Sequence, residues 1–135
     1  MQGGQRLAIV EDEAMIAMMI QEVLIEQGYE VAWIADTLNG AGSMVALDPP
    51  DMVLCDIKLL GGDSGLDVAV MLRERDIPCL FISGNCPSAE DAGQVALGCL
   101  AKPFPQNRLT HAVSAAFSAI DGQMPADVPP GMTLY

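Results

Sequence analysis

Residues 7–13 read LAIVEDE, four consecutive apolar residues followed by three consecutive acids. Apolarity that is continuous rather than alternating suits a strand covered on both faces, as in a parallel sheet. The same grammar recurs along the chain. MVLC at 52–55 is followed by Asp56, CLFI at 79–82 by Ser83, Gly84 and Asn85, and CLA at 99–101 by Lys102. A fifth run, VAWI at 31–34, comes soon after Gly28.

The segments between these runs read as helices. Residues 14–27 place Ile16, Met19, Ile20, Val23 and Leu24 at helical spacing, and Gly28 is the expected stop. Residues 37–47 form a weaker helix ending at Asp48-Pro49-Pro50, and 64–75 a helix capped by Ser64 or Asp63. Residues 86–97 contain Pro87 and Gly93, so a short or frayed helix is expected there. Residues 105–120 supply Leu109, Val113, Ala116, Phe117 and Ile120 to the core. Five strand–helix units predict an α/β fold, a five-stranded doubly wound parallel sheet. The Pro-rich stretch 122–135 lacks periodicity and reads as a tail on a single domain of residues 1–121.

Composition narrows the function. Eighteen acidic residues against six basic ones, net charge −12, argue against direct nucleic-acid binding and against an anionic membrane surface. No apolar run reaches the length of a membrane span and MQGGQRLAIVEDE has no signal-peptide layout, so the expected location is the cytoplasm. Cys55, Cys79, Cys86 and Cys99 form no CxxC pair, and three lie in apolar runs. Buried free thiols are expected for all four.

Ligands of open α/β sheets bind beyond the carboxyl ends of the strands, near the point where strand order reverses. That edge should gather Glu11, Asp12, Glu13, Asp56, Ser83 and Lys102. Carboxylates crowded at one edge repel, and a hard divalent cation such as Mg²⁺, held by oxygen ligands, would relieve them. Lys102 can balance a carboxylate or contact a phosphoryl oxygen, and Ser83 can donate to another. Asp56 is then placed to attack phosphorus and form an acyl phosphate.

Four segments carry a family resemblance: IVEDE (9–13), VLCDIKL (53–59), FISGN (81–85) and LAKPF (100–104). In this order and spacing, residues 5–121 resemble the receiver domain of bacterial two-component response regulators, with its flavodoxin-like (βα)5 fold. The resemblance implies that Glu11 and Asp12 are the acidic metal-binding pair and Asp56 the phosphoacceptor. It further implies that Lys58 lends a backbone carbonyl to Mg²⁺, and that Ser83 and Lys102 are the switch hydroxyl and the site lysine. Asn85, with Lys58, would tune phosphoryl lifetime, and a cis Lys102-Pro103 bond is a candidate. The implied partners are a histidine kinase or phosphotransfer protein and a downstream protein. The opening IVEDEAMIAMMI together with FISGN points to kinases of the HWE type. With only a tail after residue 121, the resemblance implies a stand-alone regulator or phosphate sink, not an enzyme beyond its own phosphorylation and dephosphorylation.

The sequence departs from the family pattern in places. Cys99 stands where an aromatic switch residue is usual, and Gly84 replaces a small alanine after the hydroxyl. The Ser83–Lys102 segment is also short. A phosphorylation-independent pseudo-receiver is therefore the alternative. An Asp-nucleophile phosphatase would need a second carboxylate two residues after Asp56, where Lys58 stands. Met15, Met18 and Met19 are read as core filling, Trp33 as packed at a strand end, and His111 as an ordinary helix residue.

Overall fold

The computed structural model describes residues 5–123 and 128–135. Strands β1 (Arg6–Val10), β2 (Glu30–Ala35), β3 (Met52–Asp56), β4 (Cys79–Ser83) and β5 (Gly98–Ala101) form where the apolar runs predict them. Helices α1 (Ala14–Glu26), α2 (Leu38–Leu47), α3 (Gly65–Glu74), α4 (Ala89–Ala92) and α5 (Gln106–Ile120) alternate with them. The strand order β2-β1-β3-β4-β5 is parallel throughout, and it reverses direction between β1 and β3. That reversal sets the carboxyl ends of β1 and β3 side by side at the crevice.

Side chains alternate across the sheet with the two-residue period of a strand. Leu7, Ile9, Leu54, Leu80, Ile82 and Leu100 face one way and pack with Ile20, Leu24, Leu109 and Val113 of α1 and α5. Ala8, Val10, Val53, Cys55, Cys79, Phe81 and Cys99 face the other way, onto Ala41, Val45, Val68 and Leu72 of α2 and α3. Both faces are buried, which is why the strands read as unbroken apolar runs. Local capping follows the sequence. Thr37 accepts from Gly40 N–H at the start of α2 and Ser64 accepts from Leu66 N–H at the start of α3. Asp63, the other cap candidate, instead accepts from Leu38 N–H and so braces α2.

Several expectations are corrected. Among the described residues the sheet has six strands, because Met132–Leu134 forms β6, antiparallel to β5. The tail is thus partly built into the fold. A Cβ on Gly98 would lie 2.2 Å from the Thr133 carbonyl oxygen, so only glycine lets β6 come this close. Tyr135 N–H donates to the Leu97 carbonyl, and its hydroxyl donates to the Pro87 carbonyl at 2.7 Å. Part of the tail, residues 124–127, lies outside the described residues.

Met15 and Met18 are 84% and 57% exposed, so they do not fill the core; Met19 alone of the three packs against it. Ile120, at the end of α5, is also exposed. Cys55 and Cys79 are buried free thiols as expected, but Cys86 and Cys99 form a disulfide. Parallel pairing of β4 with β5 brings the loop after Ser83 over β5, and the two Cα atoms sit 5.9 Å apart, within bridging reach. Residues 86–97 hold only the four-residue α4, as the proline and glycine there foreshadow. Trp33 is buried and donates its indole N–H to the Asp48 carbonyl, which fixes the exit of α2.

Candidate functional site

The site grows from the strand ends. Glu11 directly follows β1, and its backbone N–H donates to the Ala35 carbonyl of β2, which carries the chain inward for one more residue. Its side chain is consequently buried, with the residue 3% exposed. Asp56 ends β3, and Ser83 ends β4. Lys102 follows β5 and donates its backbone N–H to the Ser83 carbonyl at 2.8 Å, which locks the two strand ends together. The Lys102-Pro103 peptide is cis.

Lys102 Nζ bridges two carboxylates, donating to Glu11 Oε1 at 3.0 Å and to Asp56 Oδ2 at 3.1 Å. The other Asp56 oxygen, Oδ1, accepts the backbone N–H of Lys58 at 3.3 Å. Glu11 Oε2 accepts the backbone N–H of Glu13 at 3.2 Å. Ser83 Oγ turns toward its own loop. It accepts from Asn85 N–H at 3.1 Å and lies 3.2 Å from the Asn85 carbonyl as donor. Asp12, Lys58, Gly84 and Asn85 line the same open cleft as Asp56, Ser83 and Lys102. The residues singled out from the sequence are therefore brought together, apart from Cys99, which lies buried in β5 in its disulfide.

Burial governs the electrostatics. Desolvation raises the Glu11 carboxyl to about 7, against the lowering effects of the Lys102 ammonium and the Glu13 N–H. Burial acts to lower Lys102, but its contacts with Glu11 and Asp56 outweigh it and leave the ammonium raised. Cys55, just before Asp56, is pushed well up by its neighbour Cys79 and by burial, so it stays a neutral thiol.

Oxygens of Glu11, Asp12 and Asp56 all lie within 4.8 Å of one another. Three hard carboxylate donors at this spacing fit a divalent cation that prefers oxygen, and Mg²⁺ is the natural candidate. Sequence reading missed two contributors. Gly65 starts α3 so close to β3 that a Cβ would lie 2.2 Å from the Asp56 carbonyl oxygen, and its N–H donates to the Ile57 carbonyl at 2.7 Å. The glycine thus seats α3 against the end of β3, and a lone glycine after a turn carries no signal of that closeness. Cys86 is the second; its partner is set by strand pairing, which spacing along the chain does not reveal.

The sequence model of the family described as the response regulator receiver domain matches residues 7–114. The chain is similar to the transcriptional regulatory protein PdtaR of Mycobacterium tuberculosis, 34% identical over 120 residues that cover 84% of this chain and 57% of that protein. Among solved structures, it is similar to the response regulator PhyR from Brucella abortus. That match has a TM-score of 0.77 at 32% identity and covers 90% of this chain and 51% of the other. The N-terminal domain of a response regulator/sensory box/GGDEF three-domain protein from Carboxydothermus hydrogenoformans matches with TM-score 0.77 at 28% identity, covering 87% of this chain and 98% of that one. The chain spans about half the length of the curated relatives it matches.

Proposed function

Given that the chain belongs to the response regulator receiver family, we propose that it accepts a phosphoryl group on Asp56 and signals by a change in protein–protein affinity, or drains phosphate from its donor. The carrying observation is the Lys102 ammonium held between Glu11 and Asp56 at the switch point of the sheet. The donor in this reading is a phosphohistidine of a histidine kinase or phosphotransfer protein. The HWE kinase type rests on the IVEDEAMIAMMI and FISGN segments alone.

Each Asp56 oxygen accepts one hydrogen bond, and the side chain stays 12% exposed to the cleft. One oxygen attacks phosphorus in line. The phosphorus–nitrogen bond of the donor breaks, and its electron pair leaves on the imidazole, which takes up a proton. Glu11, Asp12 and Asp56 would hold the Mg²⁺, with the Lys58 carbonyl as a further ligand, and its charge would offset that of the phosphoryl oxygens. Once Asp56 is an acyl phosphate, Lys102 is free to turn to a phosphoryl oxygen, and the Ser83 hydroxyl can exchange its Asn85 contacts for another. Lys58 and Asn85 flank the route by which water would reach the acyl phosphate. No separate substrate is turned over; the activity is self-phosphorylation and self-dephosphorylation. The net charge of −12 favours protein rather than nucleic-acid partners, and the cytoplasm is the compartment in which such donors act.

One observation favours the pseudo-receiver reading. The Cys86–Cys99 bridge ties down the segment that a phosphorylation switch would move. Hydrogen exchange with Mg²⁺ and beryllofluoride, a phosphoryl mimic, separates the two. A receiver changes its exchange between residues 83 and 102 only when Mg²⁺, beryllofluoride and Asp56 are all present. An unchanged pattern would support the pseudo-receiver.

A further inference from the structure

The disulfide joins two places that flank the site. Cys86 lies three residues beyond Ser83, and Cys99 lies three residues before Lys102. The Lys102 N–H to Ser83 carbonyl bond closes the other side. Ser83, Cys86, Cys99 and Lys102 thus mark a ring of chain, one side of it held by a hydrogen bond and the other by a covalent bond. Between the cysteines the chain is only weakly regular. It contains the four-residue α4, capped by Ser88 Oγ at Asp91 N–H, and only Ala92 of that helix is buried. Apart from the disulfide, the cross-chain ties of this segment include the Tyr135 hydroxyl on the Pro87 carbonyl and the backbone bonds of Leu97 to Cys79 and Tyr135.

The two sulfurs differ in access. Cys99 is fully buried in β5, whereas Cys86 is half-buried in the loop after β4, directly beyond the cleft residues Gly84 and Asn85. An attacking thiolate approaches along the sulfur–sulfur axis from outside, so it can reach Cys86 and not Cys99.

We propose that the Cys86–Cys99 disulfide is a thiol–disulfide exchange site, opened at Cys86 by a dithiol reductant, and that its state sets the freedom of residues 84–98. The first thiolate of the dithiol bonds to Cys86 Sγ while the Cys86–Cys99 bond breaks. The electron pair leaves on Cys99 Sγ, which takes a proton. The second thiol of the reductant, as thiolate, then attacks its own bridged sulfur and releases Cys86. Two cysteines are reduced and one dithiol becomes a cyclic disulfide; a disulfide oxidant reverses the step. Reduction removes the cross-link that holds Cys86 to β5, while Ser83 and Lys102 remain paired through the backbone. The Ser83 hydroxyl and the Lys102 ammonium can then rotate more readily than in the oxidised chain.

The test uses the whole oxidised chain under native conditions, with dithiothreitol as the dithiol and iodoacetamide as the trap. The expected result is alkylation at Cys86 while buried Cys55 and Cys79 stay unlabelled, together with amide exchange across residues 84–98 that is faster by roughly tenfold or more in the reduced chain. The strands β1 and β3 should exchange unchanged. Cys86→Ser should reproduce the reduced pattern; if that variant fails to fold, the reduced wild type carries the comparison. Resistance of the bridge to dithiothreitol until the chain is denatured would overturn the proposal, as would equal exchange in the two states. Neither readout involves phosphoryl uptake, so failure here is distinguishable from failure of Asp56 as acceptor.

Discussion

Replacing Glu11 by glutamine should stabilise the metal-free protein at alkaline pH and leave it unchanged in acid. The Glu11 carboxyl is buried and titrates near 7 in the folded chain, against an ordinary value of 4.5. Between those values the native state holds a proton that the unfolded chain has already released, so stability falls as pH rises through this window. The difference amounts to about 3 kcal/mol once Glu11 is fully ionised. Glu11→Gln cannot ionise and keeps nearly the same shape, so it avoids that loss; forfeiting the ionic contact with Lys102 is already counted in the shift. Urea unfolding in EDTA should show variant and wild type equal near pH ~4.5 and the variant ahead by about 3 kcal/mol near pH ~8. Added Mg²⁺ should stabilise the wild type at the higher pH far more than the variant, since the substitution removes a charged ligand. Equal stabilities at both pH values, or a variant weaker at the higher one, would refute the claim that burial of this carboxylate is a cost carried for ligand binding.

Two further perturbations probe the frame around the site. Gly98→Val should expel β6, because the new Cβ would strike the Thr133 carbonyl; limited proteolysis would then cut within 128–135, and losing the buried Met132 should cost about 2 kcal/mol. Cys86→Ser should lower stability by about 3 kcal/mol in oxidising buffer, from the loop entropy of a separation of 13 residues, and by almost nothing in reducing buffer. Chemical denaturation in the two buffers checks it.

The strands were legible because both faces of the sheet are covered, so every position of MVLC or CLFI must be apolar and the pattern is unbroken. The candidate site was legible for a related reason. Polar residues appear abruptly where each buried strand ends, and a parallel sheet gathers those ends at one edge. Helix α1 was less so. Helical spacing placed Ile20, Val23 and Leu24 on the inner face, but nearly all its positions are apolar, and apolarity alone reads the exposed Met15 and Met18 as core filling. Which apolar residues face in is decided by packing against α5. β6 was hidden because three residues behind a Pro-rich stretch offer too little pattern, and its partner β5 is selected by the closeness that Gly98 allows. The Cys86–Cys99 pairing depends on the β4–β5 register, a property of the folded sheet. Sequence spacing of cysteines encodes local motifs, and this bridge is not one.

The most direct test is intact-mass analysis after incubation with acetyl phosphate and Mg²⁺, beside an Asp56→Asn control, with a histidine-phosphorylated phosphotransfer protein as second donor. A single added phosphoryl group that requires Mg²⁺ and vanishes in the variant is the predicted result. Folded protein that gains no phosphoryl group from either donor, or gains one equally in the variant, would contradict Asp56 as the acceptor.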